Sequence, residues 1–204
     1  MRPKSYLNLP NWITMSRLAA VPVIFVFMLF MDDAGSRPGL NRTLSFVAAV
    51  IFTVAMCSDM LDGYLARKRG QASTFGKFFD PLADKLLFLA VLIMMIPLGR
   101  VPAWLAVIFL IREVTVTALR GIAIDEGIVI AASHWGKYKA VFVTVAMVGL
   151  LLHYPFFGVE WRMIGWLFMV PSLVFSVGSG IHYAAAFVRA LGAGPRSLDN
   201  PGAR

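Results

Sequence analysis

Apolar runs broken by short polar punctuation divide this chain into six stretches, at about residues 11–31, 43–66, 75–97, 102–124, 137–154 and 162–189. Each approaches the roughly 20 apolar residues that carry a helix across the hydrocarbon core of a bilayer. The separators are recognisable. DDAGSRPGLN at 32–41 is a polar turn, and Lys68 to Ser73 is basic and contains Gly70. Pro97, Gly99 and Pro102 mark a tight turn, Asp125 to Gly136 a longer polar loop, and Tyr154 to Glu160 a connection holding Pro155 and Gly158. The pattern predicts an all-α integral membrane protein with six transmembrane helices. Residues 1–191 read as one membrane domain and 192–204, rich in Gly and Pro, as a flexible tail. There is no internal repeat.

Composition agrees with the pattern. Hydrophobic residues make up 59% of the 204 and charged residues only 15%, where soluble domains carry nearer a quarter. The net charge of +8 does not point to nucleic acid, because no basic, aromatic-laced soluble surface is available to carry it. It sets orientation instead. With a cytoplasmic amino terminus, six spans leave 15 of the 19 Lys and Arg residues toward the cytoplasm, as the positive-inside rule requires. Only Arg37, Arg42, Arg100 and Arg162 fall on the far side. Both termini are therefore expected in the cytoplasm of a cell inner membrane. Arg2 and Lys4 precede the first stretch, but Asn8, Asn11, Thr14 and Arg17 interrupt its start, so it reads as an uncleaved helix rather than a signal peptide.

Against this background four aspartates stand out: Asp59, Asp62, Asp80 and Asp84, within SDMLDGYLARKRGQASTFGKFFDPLADK. A carboxylate near lipid is costly and marks function by default. The spacings i, i+3 and i, i+4 let each pair share one helix face, and two antiparallel helices across a short loop bring four acids together near the cytoplasmic headgroups. Such a set repels itself unless cations intervene, and hard oxygen donors favour Mg²⁺, Mn²⁺ or Ca²⁺ over zinc. Two metals in one site suit phosphoryl transfer. Gly63, Ala66 and Gly76 leave space beside the acids, and Arg67 is placed to meet a phosphate.

The segment reads D-x2-D-G-x2-A-R-x8-G-x3-D-x3-D from Asp59 to Asp84, and it resembles the signature of the CDP-alcohol phosphotransferase family. That resemblance implies six transmembrane helices, often a homodimer, and displacement of CMP from a CDP-linked lipid by the hydroxyl of a second alcohol. It implies that Asp59, Asp62 and Asp80 ligate two Mg²⁺ ions (Mn²⁺ as a substitute), and that Asp84 both ligates one and acts as general base. Gly63, Arg67 and Ser73 would contact the CDP-diacylglycerol head, with Ala66 and Gly76 giving the nucleotide room.

NLPNWITMSRLAAVPV, IREVTVTALRG (111–121) and HWGKYKA (134–140) resemble the bacterial branch of that family whose acceptor is sn-glycerol 3-phosphate. A phosphorylated acceptor also follows from charge: Arg17, Arg112, Arg120, Lys137 and Lys139 gather on the cytoplasmic side, and a dianion beside four acids needs cations nearby. Arg112 lies well inside a span, where Glu113 is its obvious neighbour. The remaining signals are weaker. Cys57 reads as a small core residue, the tryptophans as an interfacial belt, and Ser176 with Gly180 as a helix-packing pair hinting at a dimer contact. Two other readings stand beside this one: the same chemistry with inositol phosphate or serine as acceptor, and a cation transporter that uses the acids as an ion path.

Overall fold

The computed structural model describes residues 9–32, 37–69, 74–127 and 135–192, and the side chains of 15–32, 37–58, 82–127 and 139–192. Six helices fill these segments: α1 (Leu9–Leu29), α2 (Pro38–Arg69), α3 (Thr74–Met94), α4 (Ala103–Asp125), α5 (Trp135–Leu152) and α6 (Trp161–Gly192). They coincide with the six apolar stretches. Several helices run past the apolar limits, because a helix continues into polar sequence until a breaker stops it. Pro38 opens α2 at the position where its missing N–H costs nothing, and Gly127, at φ +66°, follows the end of α4.

On length and composition, two of the described helical segments can cross a membrane, Pro38–Ser58 and Trp161–Gly192. Among the remaining helices, α4 carries Arg112, Glu113 and Arg120 along one run. Large apolar side chains are exposed along the described helices. Val54, Ile111, Leu167 and Val174 are each 60–68% exposed, which is the reverse of a soluble surface. Cys57 belongs to this exposed set and is not a core residue.

Helix neighbours close into a circuit: α1 on α2, α2 on α5, α5 on α6, α6 on α4, α4 on α3, and α3 back on α1. The shared core is built from Ile24, Phe52, Leu87, Phe109, Met147 and Met169, with neighbouring aliphatic side chains. The closest approach is between α5 and α6. A Cβ added to Gly149 would lie 2.6 Å from the backbone nitrogen of Gly165, and one added to Gly165 would lie 2.7 Å from that of Leu150. Glycine on both helices is what lets the two backbones touch.

One end of the bundle is fastened by polar clamps. Asn41 sits inside α2, accepts from the Asp32 backbone N–H at 3.1 Å and donates to its carbonyl at 2.8 Å, tying α1 to α2. Arg100, 5% exposed, donates to the Leu151 carbonyl at 2.7 Å and to Ser45 Oγ at 2.7 Å, closing the carboxyl end of α5 against α2. Two short strands, β1 (Pro155–Phe156) and β2 (Val159–Glu160), form a hairpin there. Its turn residues Phe157 and Gly158 both have positive φ, the conformation that matches strand twist. Arg42 holds the hairpin by donating to the Pro155 carbonyl at 2.8 Å.

Candidate active site

At the opposite end, α1 and α3 are joined through Arg17 and Asp84. The guanidinium is almost wholly buried and donates through Nη1 to Asp84 Oδ1, whose side chain is 28% exposed. Asp84 thus carries its own counter-charge from a helix nearly seventy positions earlier. It also lines a cleft of about 350 Å³ that opens between α3, α4 and α5, with Met56 of α2 contributing to the wall.

The cleft collects four cations. Lys85 comes from α3, Arg112 and Arg120 from α4, and Lys139 from α5. Three of these were expected at an acceptor phosphate, and here they share one space with Asp84. Arg17 reaches the site through Asp84 and is absent from the lining. Lys137 falls outside the described side chains. Lys85 was legible only as an orientation residue; it in fact donates to Thr117 Oγ1 on α4.

Glu113 sits among these cations and is 7% exposed. Its Oε1 accepts from Arg112 Nη1 at 2.8 Å and from Lys139 Nζ. Arg112 is further held by α6: Nε donates to the Ser176 carbonyl at 3.0 Å and Nη2 to Ser179 Oγ at 2.8 Å. Gly180 completes this contact, since a Cβ there would lie 3.3 Å from Arg112 Cγ. The Ser176–Gly180 pair therefore packs within the chain, against Arg112. Arg120 lies with its guanidinium 5.9 Å from the centre of the Tyr183 ring.

Asp59, Asp62, Gly63, Ala66 and Arg67 fall on α2, and Gly76 and Asp80 on α3, but their side chains lie outside the described residues, as does all of Ser73. The backbone positions on α2 and α3 are described. Both helices are continuous through these positions, so the pairs 59/62 and 80/84 keep helical spacing and only four residues link the two helices. The donor set is all carboxylate, which fits a hard divalent ion. Asp84, the member whose side chain is described, already draws a cation.

This arrangement gathers four basic side chains around the Asp84 carboxylate. Residues 7–191 match the family model for CDP-alcohol phosphatidyltransferase, and the chain belongs to that family. Among curated relatives, it is 38% identical over 180 residues to the CDP-diacylglycerol–glycerol-3-phosphate 3-phosphatidyltransferase of Bacillus subtilis, covering 86% of this chain and 93% of that one. It is 36% identical over 185 residues to a probable phosphatidylglycerophosphate synthase of Mycobacterium tuberculosis, covering 91% and 84%. The Treponema pallidum CDP-diacylglycerol–glycerol-3-phosphate 3-phosphatidyltransferase is 32% identical over 193 residues, covering 89% of each.

Proposed function

We propose that this chain is a phosphatidylglycerophosphate synthase, transferring the phosphatidyl group of CDP-diacylglycerol to sn-glycerol 3-phosphate with release of CMP. The observation that carries the acceptor assignment is the cleft beside Asp84, where Lys85, Arg112, Arg120 and Lys139 converge. Four cations suit a dianionic phosphate and have no use for serine. The names of the relatives point the same way.

In this reading the acceptor's phosphate lies against Arg112, Arg120 and Lys139, with Lys137 beside them, and its free hydroxyl is directed at Asp84. Asp84 takes the hydroxyl proton. The hydroxyl oxygen attacks the phosphorus that bears diacylglycerol, a new P–O bond forms, and the bond to the bridging oxygen breaks so that CMP departs with it. Arg17 orients the Asp84 carboxylate. Gly63, Arg67 and Ser73 hold the CDP-diacylglycerol head, and Ala66 and Gly76 leave space for the nucleotide. Two Mg²⁺ ions held by Asp59, Asp62, Asp80 and Asp84 would neutralise the pyrophosphate and steady charge on the leaving group.

We further read all six helices as membrane spans with both termini and the site toward the cytoplasm, where glycerol 3-phosphate and CMP are soluble. The bias of 15 against 4 in Lys and Arg supports this topology, as do the apolar outer faces. The decisive experiment is CMP release from CDP-diacylglycerol by purified protein with Mg²⁺, offering glycerol 3-phosphate, inositol phosphate or serine. Release with glycerol 3-phosphate alone, abolished by chelator, is expected. Release with serine would overturn the acceptor assignment.

A further inference from the structure

We infer that Glu113 is a positioning residue for the acceptor site: one buried carboxylate sets the spacing of the cations that receive the phosphate. The inference rests on the acceptor reading above and deepens it.

An acid inside an anion-binding cleft is a paradox, since its charge opposes the ligand. The geometry resolves it. Arg112 on α4 and Lys139 on α5 both point their charges into one space, and without an intervening anion they would repel each other. Glu113 Oε1 bridges them, with Arg112 Nη1 at 2.8 Å and Lys139 Nζ as the second donor. The bridge leaves donors to spare. Lys139 has two ammonium hydrogens beyond the one given to Glu113, while Arg112 is braced through Nε and Nη2 on the Ser176 carbonyl and Ser179 Oγ.

The same residue organises a third cation through its backbone. Thr117 Oγ1 donates to the Glu113 carbonyl at 2.6 Å and accepts from Lys85 Nζ. One turn of α4 therefore holds Lys85, Arg112 and Lys139, drawn from three helices, in a single layer beside Asp84. With the geometry set before the ligand arrives, little ordering is left to oppose binding. Glu113 touches no reacting atom in this scheme and acts through Arg112 and Lys139.

Charge and position predict opposite results, which makes the test sharp. Glu113→Gln removes a negative charge from an anion site. If Glu113 only balanced charge, the variant would bind glycerol 3-phosphate more tightly. If it positions, KM for glycerol 3-phosphate rises about tenfold or more, as expected when a charge-assisted contact is misplaced, while KM for CDP-diacylglycerol holds. Glu113→Asp, which keeps the charge, is expected to recover part of the loss. Glu113→Gln and Lys139→Gln combined should cost less than the product of the two separate effects, because they break one unit. An unchanged or lowered KM for glycerol 3-phosphate in Glu113→Gln overturns the inference.

Should Glu113→Gln fail to accumulate, Ser179→Ala and Thr117→Val loosen the same arms. Each is expected to raise KM for glycerol 3-phosphate severalfold without moving that for CDP-diacylglycerol, and no change in either overturns the inference. Wild-type protein that releases no CMP with glycerol 3-phosphate refutes the proposed function itself. An active wild type with indifferent variants refutes only the role of Glu113.

Discussion

Arg17 of α1 and Asp84 of α3 form an ion pair whose two members differ sharply in burial, 1% exposed against 28%. Substitution on the two sides should therefore have unequal consequences. Asp84→Asn takes a charge-bearing partner from a buried guanidinium, and breaking a buried pair costs up to about 3–5 kcal/mol. Arg17→Met leaves behind a carboxylate that still reaches the cleft. The melting temperature in detergent should fall further for Asp84→Asn, and equal losses would contradict the asymmetry.

Asp84→Asn also tests chemistry. Loss of a general base costs about 10²–10⁴ in rate, and loss of a metal ligand adds to it. Turnover should disappear while CDP-diacylglycerol binding, measured by calorimetry, stays largely intact. Near-normal turnover would rule out Asp84 as the base.

The four carboxylates predict the metal behaviour. Chelation should abolish CMP release, Mg²⁺ or Mn²⁺ should restore it, and Zn²⁺ should not, because the donors are hard oxygens. Asp59→Asn should raise the Mg²⁺ concentration needed for half-maximal rate. Restoration by Zn²⁺ alone would contradict the assignment.

The glycine contact between α5 and α6 is a test of the fold. Either Gly149→Ala or Gly165→Ala places a methyl group within 2.7 Å of backbone atoms that cannot turn aside. The cost should be about 3 kcal/mol, at the upper end for overpacking. Lys139 rides on α5 and Ser176 on α6, so the acceptor KM should worsen along with the melting temperature in detergent.

Arg100 offers a prediction about pH. Burial lowers its pKa to about 10, with Tyr154 opposing the shift. Below about 10 the guanidinium is protonated in both folded and unfolded chains, so its titration adds no pH dependence near neutrality. Above about 10 the unfolded chain holds the proton more tightly, and this group favours folding progressively as pH rises. Arg100→Gln should destabilise by about 3 kcal/mol through its lost hydrogen bonds, by an amount constant across the neutral range. A loss that varies steeply there would point to another group.

Much of this was readable from residue order, and the reasons for the rest are physical. Six apolar runs announced six helices because a bilayer-length run has few alternatives. The 155–160 hairpin was not readable, since its turn puts Phe157 at positive φ, where a side chain rarely sits. Arg112, Arg120 and Lys139 were placed together by their common end of the bundle. Lys85 was missed because adjacency to Asp84 says nothing about which helix it faces. Ser176 and Gly180 announced close packing correctly, but small residues do not say what packs on them, and the partner is Arg112. Cys57 was misjudged for a similar reason: an apolar run does not reveal which side of the helix meets the core.

The brace on Arg112 also orders events in time. Its acceptors at Ser176 and Ser179 lie on α6, which emerges during synthesis well after α4. Until α5 emerges, Arg112 is the one ion-pair partner that Glu113 has among the described residues, and Lys139 then joins it. A nascent chain that stalls before α6 thus carries an Arg112 guanidinium without the two α6 oxygens that hold it in the finished fold.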